Sequence, residues 1–296
     1  MVRYLVTGAN GFIGSSFIKY LKCARPKVEV MGVSKKGSSV DGIEHIELDL
    51  ASSSAISNIK KIEPDRIFHL AGAPKAQDWD VLLSANVATT INVLEAAKEL
   101  VGVKVFVIGS AAVYGVPKRM PVEEDMKQNP LTRYALSMAC RQTIIRGFAS
   151  MGCYVTEGIL FNPLGPGIGP EHAPGAFIQQ IEEITTEKRN EIIVGNIDVK
   201  RDFIDNEDAC RAFVDISERG KSGESYNVCS GRSHLLRELL QLIMDERKVK
   251  AKIRYDPRIV RKNEVKDIYG SNEKIKTDTG WTPKMSFEES VKKMLV

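Results

Sequence analysis

The chain has 296 residues and a mass of 32.8 kDa, with 43% hydrophobic and 27% charged residues. This size allows one large domain or one and a half, and the composition is typical of a globular protein in solution. The 42 basic and 38 acidic residues give a net charge of +4, too small and too dispersed to indicate nucleic-acid binding. No apolar run reaches the roughly 18 residues of a membrane span, and no signal peptide precedes the first predicted strand. We therefore expect a cytoplasmic protein with no nucleic-acid or membrane partner.

The cysteines and histidines indicate neither a disulfide framework nor a metal centre. The 5 cysteines are odd in number, far apart along the chain and without a Cys-x-x-Cys pair. This usage favours reduced thiols in a cytoplasmic protein. The 4 histidines are equally dispersed, so the sequence predicts no metal site.

The first stretch of the chain combines a short strand, a glycine turn and a helix. Residues 3–7 are β-type, the turn reads GANGFIG, and an apolar helical spacing then continues to Pro26. Glycines at these spacings allow a tight turn and let the helix N-terminus approach a pyrophosphate. We therefore predict a dinucleotide site here, with a plain turn as the alternative. The residues expected to contact the dinucleotide are Gly8, Gly11, Phe12, Ile13 and Gly14.

The second predicted strand, residues 28–33, ends in a sequence that bears on the choice of cofactor. An NAD site places an acidic residue about 20 residues after the last glycine, where it binds the ribose hydroxyls. This chain has Ser34-Lys35-Lys36 there. A carboxylate would repel a 2′-phosphate, whereas a hydroxyl and two ammonium groups would attract one. We therefore expect a site that prefers NADP(H), with Ser34 and Lys35 in contact with it, and NAD(H) as a possible second cofactor. The alternative is that the two lysines belong to a solvated loop without a role in binding.

Strands and helices then alternate along the middle of the chain. We predict strands at residues 43–48, 66–72 and 103–108, and helices from Ser52, at 80–100 and from Leu131 onward. Asp49 either meets the adenine amino group or caps the helix from Ser52. Asn86 needs hydrogen-bond partners on its apolar helix face and is expected to tie strand ends together, whereas His69 is expected to be packed rather than catalytic. The further residues expected to line the cofactor are Asp49, Leu50, Leu70, Ala71, Gly72 and Asn86.

A serine and a tyrosine are candidates for the chemistry. The strand at 103–108 delivers Ser110 to its C-terminal edge, where open α/β sheets bind ligands, and the following long helix contains Tyr134. A Tyr and a Ser that meet over a nicotinamide can pass a proton to or from a sugar oxygen while hydride moves at the carbon.

Regular alternation weakens after a strand at residues 154–161. The segment Asn162-Pro-Leu-Gly-Pro-Gly is the predicted domain boundary. We predict an α/β fold with a Rossmann-type doubly wound parallel sheet in residues 1–162 and a smaller α/β substrate domain in residues 163–296. A segment near 200–218 is expected to pack back onto the first domain. The elements predicted beyond the boundary are helices at 177–186, 207–217, 235–247 and 287–294 and strands at 192–194 and 200–204.

Ordered motifs extend over nearly the whole chain: TGANGFIG, HLAG, GSAAVYG, YALSM, FNPLGPG, RDFID and GW-P. Together they resemble the extended short-chain dehydrogenase/reductase family, in its group of nucleotide-sugar epimerases, dehydratases and reductases. The C-terminal stretches VGNIDVKRDFID, SYNVCSG and TGWTP resemble members that reduce GDP-linked 4-keto-6-deoxy sugars. The resemblance implies an NAD(P)-dependent enzyme with a nucleotide-sugar substrate, and usually a homodimer built from two helices per subunit.

The resemblance also implies roles for single residues. Ser110 and Tyr134 match the catalytic pair, with Tyr134 as the general acid–base, and Met138 stands at the third catalytic position. Tyr134 and Met138 are also expected to contact the cofactor. An arginine can fork onto phosphate oxygens in a way that lysine cannot, although surface ion pairing is the alternative for each arginine. The positions that match substrate-binding residues are Ala111, Asn162, Arg201 and Arg261.

Three positions depart from the family pattern. Dehydratases of the group have a Glu, often with an Asp, after the catalytic Ser/Thr. This chain has Ala111 and Ala112, which cannot move protons, so dehydration is not expected. Ile159 replaces an arginine of many relatives, and Met138 replaces the lysine that holds a positive charge beside Tyr134.

Met138 leaves several interpretations open. It is an engineered change, a tolerated loss of charge, a sign of changed chemistry, or a sign of a silent cofactor-binding protein. Arg141, farther along the same helix face, is an alternative source of part of the charge. With the Ser110–Tyr134 pair intact, Met138→Lys is expected to raise turnover at least tenfold. The sequence favours NADP(H)-dependent reduction of a 4-keto group on a nucleotide sugar, with a 4-epimerase as the alternative.

Overall fold

Within the residues that the structure describes, seven parallel strands form a central sheet with helices on both faces. The structure is a computed structural model, and it describes residues 2–36, 42–73, 76–260 and 264–296. The strands are β1 (Arg3–Thr7), β2 (Glu29–Ser34), β3 (Glu44–Glu47), β4 (Arg66–His69), β5 (Lys104–Ser110), β6 (Tyr154–Leu160), β7 (Asn162–Leu164), β8 (Glu191–Val194), β9 (Lys200–Asp205), β10 (Ser225–Val228), β11 (Ser233–Leu235) and β12 (Lys252–Tyr255). The helices are α1 (Phe12–Ala24), α2 (Ala55–Ile62), α3 (Trp79–Leu82), α4 (Thr89–Lys98), α5 (Arg133–Ser150), α6 (Ala173–Thr185), α7 (Asn206–Arg219), α8 (Leu236–Glu246), α9 (Glu273–Thr279) and α10 (Phe287–Met294). A π-helical turn (Leu83–Ala88) joins α3 to α4, and 3₁₀ turns lie at Ala111–Tyr114 and Pro257–Ile259.

The strand order of the central sheet is β10-β6-β5-β4-β1-β2-β3. β1 pairs with β2 on one side and with β4 on the other, so the winding of the chain reverses at β1. In open α/β sheets, ligands bind outside the carboxyl ends of the strands at such a reversal. The prediction of a Rossmann-type, doubly wound parallel sheet is confirmed.

Two apolar layers cover the two faces of this sheet. One layer packs α1 and α7 onto the strands, and the ring centroids of Phe17 and Phe68 lie 4.6 Å apart in it. The other layer packs α2, α4 and α5 onto the opposite face, around Leu94 and Ile145. Strands buried on both faces are nearly continuous apolar runs, which is why β4 and β5 could be predicted from the sequence.

The C-terminal half builds two smaller sheets, ordered β11-β9-β7 and β12-β8. Helices α6, α8 and α10 bury a separate apolar cluster against them, which includes Phe177, Leu240 and Phe287. In contrast, α7 packs on the central sheet, where Phe213 contacts Phe106 with ring centroids 4.9 Å apart. The domain boundary at residue 162 stays a prediction.

Three predicted helices differ from the observed ones by more than two residues. The helix predicted at residues 177–186 begins at Ala173. The helix predicted at residues 80–100 is interrupted by the π-helical turn. At its end the hydroxyls of Thr89 and Thr90 donate to the carbonyls of Ala85 and Asn86, at 2.7 and 2.9 Å. Such hydroxyl bonds to a preceding carbonyl often bend helices. The helix predicted from Ser52 begins at Ala55 instead, after turns that precede it.

Four short strands were not predicted. One is β7, which lies in the segment expected to break regular structure and is a strand because it pairs with β9. The other three each lack a sequence signal for a physical reason. β12 is exposed along its whole length, so its charged and apolar residues follow no burial pattern. β10 has four residues that are all buried, and β11 has three. Runs this short cannot be assigned from periodicity alone.

The turn between β1 and α1 depends on two glycines. Gly8 has φ +67°, and a Cβ there would lie 2.9 Å from the backbone of Ala71, at the end of β4. A Cβ on Gly14 would lie 2.0 Å from the carbonyl oxygen of Gly8. Glycine at these positions therefore lets α1 begin directly against the turn, close to the ends of β1 and β4.

We expect Gly14→Ala to destabilise the fold by about 1–3 kcal/mol, because the added methyl group forces the Gly8 carbonyl to move. Gly147→Ala on α5 is the matched control, since a Cβ there meets nothing within 4 Å. The control should leave stability unchanged or raise it by about 0.5–1 kcal/mol. Urea unfolding measures both changes. Equal stability of Gly14→Ala and the starting protein would contradict this view of the turn.

Candidate active site

The N-terminus of α1 has the features of an anion site. Among the described residues no side chain caps it: Gly11 is the N-cap, and the first turn contains no acidic residue. The first N–H groups of a helix have no intrahelical partner, and the helix dipole favours negative charge there. Phe12 and Ile13 are partly buried in this turn. The arrangement fits the pyrophosphate of a dinucleotide.

The loop after β2 contains the residues predicted to choose between cofactors. The buried Ser34 hydroxyl contacts Nε2 of His45 at 2.5 Å. Lys35 is exposed, and its Nζ lies 2.7 Å from a carboxylate oxygen of Asp49. The other oxygen of Asp49 accepts a hydrogen bond from the Ala51 N–H at 3.0 Å. This bond and the one with Lys35 hold the pKa of Asp49 below its ordinary value, the Lys35 bond most strongly. Asp49 therefore fixes a turn and positions an ammonium group, while Leu50 beside it is buried.

The segment after β4 is held from two sides. Leu70 is buried, and the Ala71 N–H donates to the Thr7 hydroxyl at 3.3 Å. The buried Asn86 accepts from the Ala73 N–H and donates to the Ser137 hydroxyl, both at 2.9 Å. Asn86 thus ties the chain beyond β4 to α5. Gly72 is exposed between these anchors and leaves the backbone open to a ligand.

Ser110 and Tyr134 meet at the carboxyl end of β5. Ser110 is the last residue of β5, and Tyr134 lies in the first turn of α5. Thr132 caps that helix by accepting from the Ala135 N–H at 3.1 Å. Burial raises the pKa of Tyr134 above its ordinary value, while a hydrogen bond with Ser110 and the charge of Arg141 lower it in part. At neutral pH the Tyr134 hydroxyl is therefore protonated and can act as an acid.

Met138 packs into an apolar cluster beside this pair. Its side chain is only 3% exposed and shares the cluster with Val113, Ile159 and Phe161. Tyr134 packs against the same cluster. The two apolar departures from the family pattern, at positions 138 and 159, therefore lie in one apolar cluster with Tyr134. This cluster lies next to the ligand cleft expected at the carboxyl ends of the strands.

Arg141, expected from the sequence to replace the missing charge only in part, is buried on the same helix as Tyr134. Arg141 is 1% exposed; its Nε donates to the Thr90 hydroxyl at 2.8 Å and its Nη2 to the Ala71 carbonyl at 3.0 Å. His69, fully buried, contacts the hydroxyls of Thr7 and Thr90 at 2.8 and 3.1 Å. Burial, and then the charge of Arg141, holds the pKa of His69 well below its ordinary value. His69 is therefore a packed, neutral residue, as expected, and the threonines that connect this network carried no sequence signal.

Three of the four residues predicted to bind substrate lie in the part of the chain that the structure describes. Ala111 is partly buried in the 3₁₀ turn after Ser110. The Asn162 side chain donates to the Asp202 carbonyl at 2.8 Å. Arg201 donates through Nη1 to the carbonyls of Lys200 and Val265, both at 2.7 Å. Arg261 lies outside the described residues.

Comparison with known proteins identifies the family. The model of the family described as GDP-mannose 4,6 dehydratase matches residues 5–294. The chain belongs to the GDP-mannose 4,6-dehydratase family. This confirms the predicted membership of the extended short-chain dehydrogenase/reductases, a family of NAD(P)-dependent nucleotide-sugar enzymes.

Relatives of this GDP-mannose 4,6-dehydratase family member include reductases and epimerases. The GDP-6-deoxy-D-mannose reductase of Pseudomonas aeruginosa is 30% identical over 302 residues, covering 99% of this chain and 96% of that protein. The UDP-glucose 4-epimerase of Mycolicibacterium smegmatis is 26% identical, covering 99% of this chain and 97% of that protein. The structure of RMD from P. aeruginosa complexed with NADPH matches with a TM-score of 0.87 and 29% identity, covering 100% of this chain and 98% of that one.

Other kinds of site find no support in the part of the chain that is described. None of its helices combines the length and apolar character needed to cross a membrane. Its His, Cys, Asp and Glu side chains form no group of three or more that could hold a metal ion. All 5 cysteines are unpaired.

We expect Asn86→Ala to lower the free energy of unfolding by about 1–3 kcal/mol. The change leaves the Ala73 N–H without its acceptor and removes the hydrogen bond that the Ser137 hydroxyl accepts, although that hydroxyl still donates to the Tyr134 carbonyl. Asn58→Ala on α2 is the control, since its side chain bonds only to the carbonyl of Ser54 near the surface. Chemical denaturation compares the two variants. If Asn86→Ala and Asn58→Ala lower the free energy of unfolding by the same amount, Asn86 does not hold the segment after β4 in place.

Proposed function

We propose that this protein reduces the 4-keto group of a GDP-linked 4-keto-6-deoxy sugar with NADPH. The observation that carries the proposal is the approach of Ser110, the last residue of β5, to the buried side chain of Tyr134 on α5. Ala111 and Ala112, next to that pair, bring no carboxylate for dehydration. The relationship to a GDP-6-deoxy-D-mannose reductase and to a structure complexed with NADPH supports this choice.

The chain's own residues account for the proton transfer. Tyr134 donates its hydroxyl proton to the sugar oxygen, and Ser110 donates a hydrogen bond to the same oxygen to polarise it. A bound NADPH would supply the hydride, and the N–H groups at the N-terminus of α1 would hold its pyrophosphate. Because burial keeps Tyr134 protonated, the site favours reduction over the oxidation of an alcohol.

A 4-epimerase is the second candidate, because the same pair would serve it and a UDP-glucose 4-epimerase is among the relatives. An epimerase returns the hydride to the sugar and consumes no cofactor, so stoichiometric NADPH oxidation separates the two activities. A silent cofactor-binding protein would show neither reaction.

The substrate's diphosphate is proposed to bind where the two smaller sheets meet the central one. Arg201 lies on β9, and its position is fixed by two backbone carbonyls. Asn162 on the adjacent β7 is fixed in turn by the Asp202 carbonyl. Arg201 and Arg261 are proposed to bind the phosphate oxygens, with Asn162 beside them.

We expect Tyr134→Phe to lower kcat by about 10²–10⁴-fold, the usual contribution of a positioned acid. The assay supplies GDP-4-keto-6-deoxy-D-mannose and follows NADPH absorbance. Tyr255→Phe is the control, since Tyr255 is 58% exposed on β12 and should keep full activity. A folded Tyr134→Phe protein with undiminished turnover would overturn the proposal, and a starting protein that consumes no NADPH would favour an epimerase or a silent protein.

The second prediction concerns the choice of cofactor. Lys35→Glu replaces an ammonium group by a carboxylate and should narrow or reverse the preference for NADPH over NADH. Lys19→Glu makes the same change of charge on the exposed side of α1 and should leave the preference intact. Dissociation constants for both cofactors are measured at one fixed salt concentration, because salt screens phosphate contacts. Equal affinities for NADPH and NADH in the starting protein would refute the assignment.

A homodimer in the cytoplasm is the assembly we propose. Large apolar side chains are exposed on the outer face of α3, the π-helical turn and α5: Trp79 (37%), Val81 (49%), Leu83 (42%) and Leu136 (44%). Two copies of this face would bury them against each other in a two-fold interface.

Leu136→Glu should therefore shift the protein toward monomers, because it places two carboxylates in the interface. Val101→Glu is the control, since Val101 is exposed but lies away from this face, between α4 and β5. Sedimentation velocity measures the distribution. A starting protein that is monomeric at micromolar concentration, or a Leu136→Glu variant that stays dimeric, would rule out this interface.

A further inference from the structure

Arg141 is a buried cation without a carboxylate partner. Its hydrogen bonds go to the Thr90 hydroxyl and the Ala71 carbonyl, and within the described residues no Asp or Glu lies at ion-pair distance from it. Burying an ion is costly unless it is paired, so a chain that keeps such a cation is expected to use its charge. The third guanidinium nitrogen, Nη1, faces the segment after β4. It lies 3.9 Å from the point that a Cβ on Gly72 would occupy.

The groups that face Arg141 come from four elements. On α5 itself, Tyr134 interacts electrostatically with it. On β6, Glu157 does so too, although burial raises the pKa of Glu157 and two hydrogen bonds tie it to Gln142 and Ser225. On β4, His69 is held neutral, and α4 offers only the Thr90 hydroxyl. Tyr134 is therefore the group facing Arg141 that belongs to the proposed chemistry.

Helix geometry lets Arg141 reach the position below Tyr134. Seven residues are two helical turns, so the two residues lie on one face of α5, about 10 Å apart along the axis. Side chains on a helix lean toward its N-terminus, which directs Arg141 back toward Tyr134. Two hydrogen bonds then hold the guanidinium in place.

We propose that Arg141 is a positioning residue that supplies, from below the cleft, the fixed positive charge that Met138 cannot supply. This inference rests on the proposed reduction. There the C=O bond of the sugar gains hydride from NADPH at carbon and the Tyr134 proton at oxygen. Tyr134 is left as a tyrosinate, and it regains a proton from water. The guanidinium stabilises that tyrosinate. Arg141 therefore takes the part of the lysine that relatives have at position 138.

The proposal is tested by the titration of Tyr134 in the protein without cofactor or substrate. Tyrosine labelled with ¹³C at Cζ reports the ionisation by NMR, and Tyr134→Phe assigns the resonance. Arg141→Gln should raise the pKa of Tyr134 by about 1 unit or more, the effect of losing a nearby opposite charge. Arg141→Lys should keep most of the effect. Arg146→Gln, which removes an exposed charge from the same helix, should leave the titration unchanged.

Two results would overturn the proposal: an unmoved Tyr134 titration in folded Arg141→Gln, or equal movement in Arg141→Gln and Arg141→Lys, which would indicate packing alone. If Arg141→Gln does not fold, ¹⁵N-labelled arginine in the starting protein replaces it. The chemical shift of the Arg141 side chain should then change at the pH at which Tyr134 ionises, and this change should be absent in Tyr134→Phe. If the starting protein shows no such change, Arg141 and Tyr134 do not interact as proposed. Because these readouts need no turnover, they separate failure of this inference from failure of the proposed reduction.

Activity gives an independent readout. The alkaline limb of the pH profile for reduction should move to higher pH in Arg141→Gln by the same amount as the Tyr134 titration, since the acid form then persists to higher pH. Met138→Lys should raise turnover less than about twofold, because the charge is already present and the lysine enters an apolar cluster. A tenfold rise would show that the charge had been missing.

Discussion

The close approach of the glycine turn to the chain beyond β4 is the constraint on which the site depends. Gly8 can lie against Ala71 only because it has no side chain. The Ala71 N–H also donates to the Thr7 hydroxyl, and the Ala71 carbonyl accepts from Arg141. Two residues farther along the chain, the Ala73 N–H donates to the Asn86 side chain. One short backbone segment therefore positions the N-terminus of α1, the central strand ends and α5 together. A change at this segment would move all three.

Buried polar groups below the cleft give the site its electrostatic character. Arg141 and His69 share the Thr90 hydroxyl, and the histidine is neutral, so a single cation lies in this described network. Above them, Met138 and Ile159 make the floor apolar. A tyrosine between an apolar floor and a fixed cation stays protonated until it reacts and is stabilised once it has given up its proton. That combination suits an acid in ketone reduction.

Much of the fold could be predicted from the sequence, because buried parallel strands and a glycine turn leave strong local patterns. The glycine turn and the strand that ends at Ser110 are examples. Details that depend on contacts between distant segments could not be predicted. The π-helical turn forms where Asn86 bonds to two separate elements, and β12 is a strand only because it pairs with β8. Arg141 was considered from helix spacing, but its burial and anchors appear only in three dimensions.

Transfer of an isotope label tests the central claim most directly. NADPH carrying deuterium at both hydrogen positions of the nicotinamide C4 is mixed with a GDP-linked 4-keto-6-deoxy sugar, and the product is examined by NMR. The account predicts one deuterium on C4 of the sugar for each NADPH oxidised, in a single stereochemical configuration. A product without deuterium, or a sugar that changes configuration while NADPH stays unconsumed, would contradict it.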